Sequence, residues 1–101
     1  MMFLKDRFRK NFLYLIYGTK GGYTRIKIIL LLLKRPYNAN QITKELNLDY
    51  KTVQHHLRIM EENNIIVSSK KKYGSVYFTS EMMKMNIDVL NKVLADLGKD
   101  K

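Results

Sequence analysis

The chain has 101 residues, which is enough for one domain with its own core and too few for two. Nineteen Lys and Arg residues against nine Asp and Glu give a net charge of +10, which favours a polyanionic partner: nucleic acid first, an anionic membrane surface second. The sequence contains no Cys, and this excludes disulfides, thiolate metal sites and Cys nucleophiles.

The positive charge is concentrated in two places. Residues 1–35 carry nine basic residues against one acid, and residues 70–80 carry three Lys and no acid. The longest apolar run has six residues, Ile28 to Leu33, whereas a membrane-spanning helix needs about 20. We therefore expect no membrane span and a cytoplasmic protein.

Two helices are predicted before residue 36. The first covers residues 3–16, where apolar side chains recur at helical spacing. They are Leu4, Phe8, Phe12, Leu15 and Ile16. The second runs from about Tyr23 to Lys34 with Thr24 as a possible cap, and it is apolar over much of its circumference, which predicts a central buried helix. Pro36 ends it.

The next segment has the pattern of a helix-turn-helix. Asn38 can cap a short helix over residues 39–46, and Asp49 can cap another from Tyr50 to about Asn63, because both side chains accept hydrogen bonds from first-turn backbone N–H groups. Two short helices joined by a tight turn at Asn47 are typical of this motif.

The periodicity then changes from 3.6 to 2. Residues 65–69 and 75–79 are predicted strands joined by a hairpin over residues 70–74, where Gly74 can take a positive φ. Ser80 caps a last helix to Leu97, followed by Gly98. The predicted fold is mainly α, with five helices and a β-hairpin.

The helix over residues 50–63 has two distinct faces. Its apolar residues should face the core: Tyr50, Val53, Leu57 and Met60. Its opposite face carries Lys51, Gln54, His55, Arg58 and Glu62. Gln can pair with adenine and Arg or Lys with guanine in the major groove of DNA, and the alternative is a solvated face. The side chains of adjacent His55 and His56 point about 100° apart on a helix, so they are not expected to bind one metal ion together. His56 lies nearer the core and is expected to be structural.

Residues 38–79 resemble the winged helix-turn-helix of ArsR-like transcription regulators. The likeness lies in Asn-Ala-Asn-Gln-Ile-Thr-Lys-Glu-Leu at 38–46, Leu-Asp-Tyr-Lys-Thr-Val-Gln-His-His-Leu-Arg at 48–58, and Tyr-Gly-Ser-Val-Tyr-Phe at 73–78. Gly21-Gly22-Tyr23-Thr24-Arg25 is similar to a group of small archaeal members.

The resemblance implies that residues 50–63 form the recognition helix and 70–74 the wing tip. The expected DNA contacts on the recognition helix are Lys51, Thr52, Gln54, His55 and Arg58, and those on the wing are Lys70, Lys71, Lys72 and Tyr73. Thr24, Arg25 and Asn40 are further candidates for phosphate contacts. The Cys of the family's metal-sensing branch, and the His on its last helix, are missing here, so metal sensing does not carry over.

The family also implies a homodimer through the first and last helices. The last helix has a heptad-like apolar seam, although packing on its own domain is the alternative. The predicted interface residues are Phe8, Phe12, Met83, Ile87, Leu90, Leu94 and Leu97.

We therefore expect one winged helix domain over residues 1–101. Residues 18–80 would form its core and wing, and residues 1–17 and 81–98 would form flanking dimerisation helices. The expected function is a homodimeric, sequence-specific regulator that binds double-stranded DNA, without enzymatic activity, cofactor or metal. The alternatives are an architectural DNA-binding protein with little sequence preference and a membrane-surface protein that uses the basic first helix.

Overall fold

The computed structural model describes residues 2–98, which form six helices and a three-stranded antiparallel sheet. In chain order the elements are α1 (Met2–Tyr17), α2 (Gly22–Lys34), β1 (Tyr37–Asn38), α3 (Ala39–Leu46), α4 (Tyr50–Glu62), β2 (Ile66–Ser68), β3 (Val76–Thr79), α5 (Glu81–Met85) and α6 (Ile87–Gly98). The predicted fold class, a mainly α winged helix-turn-helix, is confirmed.

Helix α2 is the buried centre of the fold, as its apolar circumference predicted. Five of its apolar side chains are at most 7% exposed: Ile26, Ile28, Ile29, Leu31 and Leu32. The predicted cap at Thr24 is wrong, because the helix begins at Gly22 and the capping position is Gly21, whose φ of +89° is in the left-handed region. Glycine enters that region without a steric penalty.

Local capping sets the bounds of α3 and α4. The Asn38 side chain accepts a hydrogen bond from the Gln41 backbone N–H at 2.8 Å, and the Gln41 side chain accepts one from Asn38 N–H at 2.9 Å. Asp49 accepts from the Thr52 N–H at 3.1 Å, after a turn in which Asn47 has a φ of +52°. Caps of this kind contribute about 1 kcal/mol each.

The sheet has the order β1-β3-β2, and the sequence predicted only β2 and β3. Strand β1 has two residues, too few to show a period of two, and it forms because Tyr37 pairs with Tyr77 of β3. Strand β1 directly precedes α3, so the sheet connects the wing strands to the start of the helix-turn-helix.

The predicted last helix is two helices, which corrects the count from five to six. The break is at Asn86, whose side chain donates to the Met82 carbonyl at 2.8 Å and accepts from Arg9 of α1 at 3.2 Å. Arg9 also pairs with Asp88 at 3.0 Å, and this hydrogen bond lowers the pKa of that carboxyl below its ordinary value. The break between α5 and α6 thus coincides with contacts from Asn86 and Asp88 to Arg9 of α1, which the sequence around residue 86 does not predict.

Four of the predicted interface residues lie in the chain's own core. Phe8, Phe12, Met83 and Leu90 are at most 6% exposed, because the apolar stripes that they form are covered within the domain. Leu94 and Leu97 are partly buried against the same core, and Ile87 is 36% exposed. No helix within residues 2–98 is long and apolar enough to cross a membrane.

Candidate nucleic-acid interface

The outer face of α4 presents the polar side chains that the sequence singled out. Lys51, Thr52, His55 and Arg58 are exposed and Gln54 is half-buried. The opposite face enters the core, as predicted for the residues Val53, Leu57 and Met60, which are at most 1% exposed.

Tyr50 is the exception on the predicted core face. It is 45% exposed, and its hydroxyl accepts a hydrogen bond of 2.6 Å from the Gln54 side-chain amide. The prediction that Tyr50 belongs to the core is wrong, because the first turn of α4 lies at the edge of a surface cleft.

Few of the basic side chains are neutralised by acids. Within residues 2–98 the ion pairs are Arg9–Asp88 and Lys84–Glu81, so the cations of α4 and the wing have no carboxylate partner in that part of the chain. The guanidinium of Arg58 lies 3.5 Å from Nδ1 of His55. These cations can therefore meet phosphate or base acceptors without breaking an ion pair.

The wing tip is a tight loop with its side chains in solvent. Residues 70–74 are all exposed, and Lys70 and Gly74 have φ values of +58° and +68°. The loop is held by a 2.6 Å hydrogen bond from the Ser75 hydroxyl to the Lys71 carbonyl and by a 3.0 Å backbone bond from Ser69 to Val76. Tyr73 is 81% exposed, with the Lys72 ammonium 5.7 Å from its ring centre.

A cleft of about 320 Å³ separates the wing from α3 and α4. Its walls combine amide, hydroxyl and ammonium groups with backbone: Asn38, Ala39, Asn40, Tyr50, Gln54, Lys71, Lys72, Gly74, Ser75 and Tyr77. The cleft brings together three predicted site elements, namely Asn40 of α3, Gln54 of α4 and the wing lysines. Burial, and then the Glu61 carboxylate, raises the pKa of Tyr77, so its hydroxyl keeps its proton at neutral pH.

Arg25 does not have the exposure that its predicted phosphate contact requires. Its side chain is 3% exposed and donates to the Leu15 carbonyl at 2.7 Å and to the Thr19 hydroxyl at 2.6 Å. It therefore holds the end of α1 and the following loop onto α2. The structural role of Arg25 could not be predicted from the sequence, because arginine side chains usually lie in solvent. Thr24 is half-buried.

His56 is a structural side chain, as its position on α4 predicted. It is 6% exposed and packs against Gly21, where a Cβ atom would lie 2.5 Å from the imidazole Cε1. Burial lowers the pKa of His56 below its ordinary value, and the positive charges of Arg25 and His55 lower it further. Within residues 2–98, no group of three His, Cys, Asp or Glu side chains could hold a metal ion.

The lowered pKa predicts that the free energy of unfolding falls as the pH drops below about 6.5. There the unfolded chain binds a proton on this imidazole that the folded chain does not bind. One such group contributes at most about 1.4 kcal/mol per pH unit. Denaturant unfolding between pH 7 and pH 5 should show a flatter dependence for His56→Gln than for the wild type.

The exposed neighbour supplies the matched control for this experiment. His55→Gln leaves the buried His56 imidazole in place, so it should keep the part of the wild-type pH dependence that the burial of His56 causes. Equal pH dependence in the wild type and His56→Gln would show that His56 is not the titrating group.

Comparisons with known proteins agree with this geometry. Residues 23–68 match the family model described as "Bacterial regulatory protein, arsR family". A transcriptional regulator homologue from Pyrococcus horikoshii OT3 is structurally similar, with a TM-score of 0.66 and 23% identity over 98% of this chain and 97% of the other.

Two further solved structures share the fold. Rv0081 from M. tuberculosis has a TM-score of 0.64 and 19% identity, over 98% of this chain and 93% of the other. Reduced HlyU from Vibrio cholerae has a TM-score of 0.62 and 18% identity, over 84% of this chain and 87% of the other. A search of curated protein sequences gave no match.

The elements and the structural neighbours define a winged helix-turn-helix fold. The match of residues 23–68 to the ArsR-family model agrees with the resemblance seen in the helix-turn-helix residues.

Proposed function

We propose that the protein is a sequence-specific regulator that binds double-stranded DNA as a homodimer. Helix α4 would enter the major groove, and the wing would contact the adjacent phosphates. The observation that carries the proposal is the outer surface of α4 and the wing, where exposed cations and a Gln amide border one cleft without acid partners in residues 2–98.

The two elements would divide the work of binding. Gln54 and Arg58, supported by Lys51, Thr52 and His55, have the donors and acceptors that distinguish base edges. Lys70, Lys71, Lys72 and Tyr73 would contact the DNA backbone, which sets position and affinity without sequence preference. Asn40, at the opposite wall of the cleft, would add a phosphate contact.

A groove between the two flanking helices supports the homodimer, because Leu13 and Tyr17 in its lining are 36% and 53% exposed. A groove of about 270 Å³ lies between α1 and α6, lined by Arg9, Leu13, Tyr17, Val89, Lys92, Val93 and Asp96. We propose that this groove and exposed Ile87 form the dimer contact, in place of the core residues Phe8, Phe12, Met83 and Leu90. The domain would thus be a single unit in which residues 18–80 bind DNA and the flanking helices associate.

A charge in this groove should separate the protomers. Leu13→Glu should give a monomer in light scattering, because a carboxylate in an apolar contact loses its hydration. Leu33→Glu on α2 is the matched control, since Leu33 is 38% exposed and Leu13 is 36% exposed. A Leu13→Glu dimer as stable as the wild type would move the interface elsewhere.

Selection of bound sites from random duplex DNA tests the proposed function. We expect pseudo-palindromic sites with half-sites about one helical turn, ~34 Å, apart. The selected site should bind at least about a thousandfold more tightly than random duplex at the same salt concentration. An affinity within a few-fold of random duplex would favour an architectural DNA-binding protein instead.

A further inference from the structure

We propose that Tyr50 is a positioning residue that orients the Gln54 amide for a base edge. The proposal rests on the proposed function, since it concerns how the recognition helix would distinguish bases. Tyr50 would act through Gln54 and would not itself select the base.

The geometry places Tyr50 one helical turn before Gln54. Its hydroxyl accepts a hydrogen bond of 2.6 Å from Nε2 of Gln54, and both side chains line the cleft opposite Lys71 and Lys72 of the wing. Residues at i and i+4 are neighbours on a helix surface, so the contact lies within one rigid element. Tyr50 is 45% exposed, so the Tyr50–Gln54 pair lies at the protein surface, where a DNA base could reach the amide.

The hydrogen bond leaves the rest of the amide available to DNA. A Gln side chain has one acceptor oxygen and two N–H hydrogens, and Tyr50 takes one of these hydrogens. The other hydrogen and Oε1 are the donor and acceptor that adenine requires at N7 and N6 in the major groove. Adenine would pair with Oε1 and the N–H hydrogen cis to it, so Tyr50 would take the trans hydrogen in the complex.

Fixing the amide before binding reduces the entropy that the complex must give up. The terminal torsion of Gln is broad, and a free side chain would lose that freedom only on the DNA. A side chain already held in place loses less on binding, which is the usual benefit of preorganisation. The benefit is largest for the base that uses both remaining groups, so it increases discrimination and not general affinity.

Tyr50→Phe removes the hydroxyl and keeps the ring. We expect the preference for the best base at the Gln54 contact to fall about fivefold, which corresponds to one hydrogen bond of about 1 kcal/mol. Affinity for random duplex and the salt dependence of binding should stay unchanged, because no charge is removed. The measurement is competition among duplexes that differ at one base pair of the selected site.

A double-mutant cycle separates positioning from a contact of Tyr50 itself. In the Gln54→Ala background, Tyr50→Phe should have no further effect on base preference, since the residue it positions is gone. Tyr23→Phe is the matched control, because this tyrosine is 63% exposed on α2, outside the proposed DNA contacts, and should change no base preference. Thermal unfolding of each variant excludes a loss of folding as the cause.

The outcomes distinguish this proposal from the function on which it rests. If the wild type does not discriminate between the selected site and random duplex, the proposed function fails and the role of Tyr50 fails with it. If the wild type discriminates but Tyr50→Phe keeps its full preference, only the role of Tyr50 is overturned. An equal effect of Tyr50→Phe with and without Gln54 would also overturn it.

Discussion

Replacing Lys70, Lys71 and Lys72 together by Ala should weaken binding to the selected site and to random duplex alike. Each lysine that meets a phosphate releases about 0.9 counterion, so the slope of log affinity against log salt should become shallower by up to about 3. At about 0.5–1 kcal/mol for each contact, affinity at low salt should fall by roughly ten- to a hundredfold. Fluorescence anisotropy over a salt series measures both quantities.

A variant with the same net charge controls for long-range attraction. Lys5, Lys10 and Lys34 lie on α1 and α2, and replacing all three by Ala also removes three charges. That variant should change the slope by less than about 1 if the contacts are made by the wing. A wing variant with the wild-type slope would remove the wing from the DNA contacts.

Gly22→Ala should strongly destabilise the fold, although it adds only one methyl group. A Cβ atom at Gly22 would overlap the backbone carbonyl group of Ile16, so α1 and α2 would have to move apart. Overpacking against backbone should cost about 3 kcal/mol, the upper end of the usual range. The midpoint of thermal unfolding should fall by about 12 °C or more.

Gly98 provides the comparison for this variant. A Cβ atom there would meet nothing within 4 Å, and the residue ends α6. Gly98→Ala should leave stability unchanged or raise it by up to about 1 kcal/mol through helix propensity. A Gly22→Ala protein that unfolded at the wild-type temperature would show that α1 and α2 do not need this close approach.

The helices whose bounds depend on residues close in sequence were predicted most accurately. Asn38 and Asp49 cap α3 and α4 where the sequence placed them, because each cap is a contact across three residues. The buried circumference of α2 followed in the same way from its own side chains.

The predictions that failed depended on contacts between distant parts of the chain. The break at Asn86 involves Arg9, 77 residues away, and strand β1 exists through pairing with β3. Arg25 was assigned to the surface because its burial depends on the Leu15 carbonyl and the Thr19 hydroxyl, which the folded loop brings to it.

The sequence predicted which polar residues lie on the outer face of α4, but it did not predict the cleft that they border or the exposure of Tyr50. The spacing of residues on α4 identified Gln54 and Arg58, since a helix face is a local property. It could not identify Tyr50, whose angle on the helix matches the core residues while its position at the cleft exposes it.

The contact of Arg9 with Asp88 has a consequence for synthesis on the ribosome. Asp88 follows Arg9 by 79 residues, and at about 5–20 residues per second its codon is reached roughly 4–16 s later. During that interval α1 can already pack on α2, but Arg9 still lacks its carboxylate partner on α6. The first two helices can therefore associate on the translating chain, and the Arg9–Asp88 contact forms last.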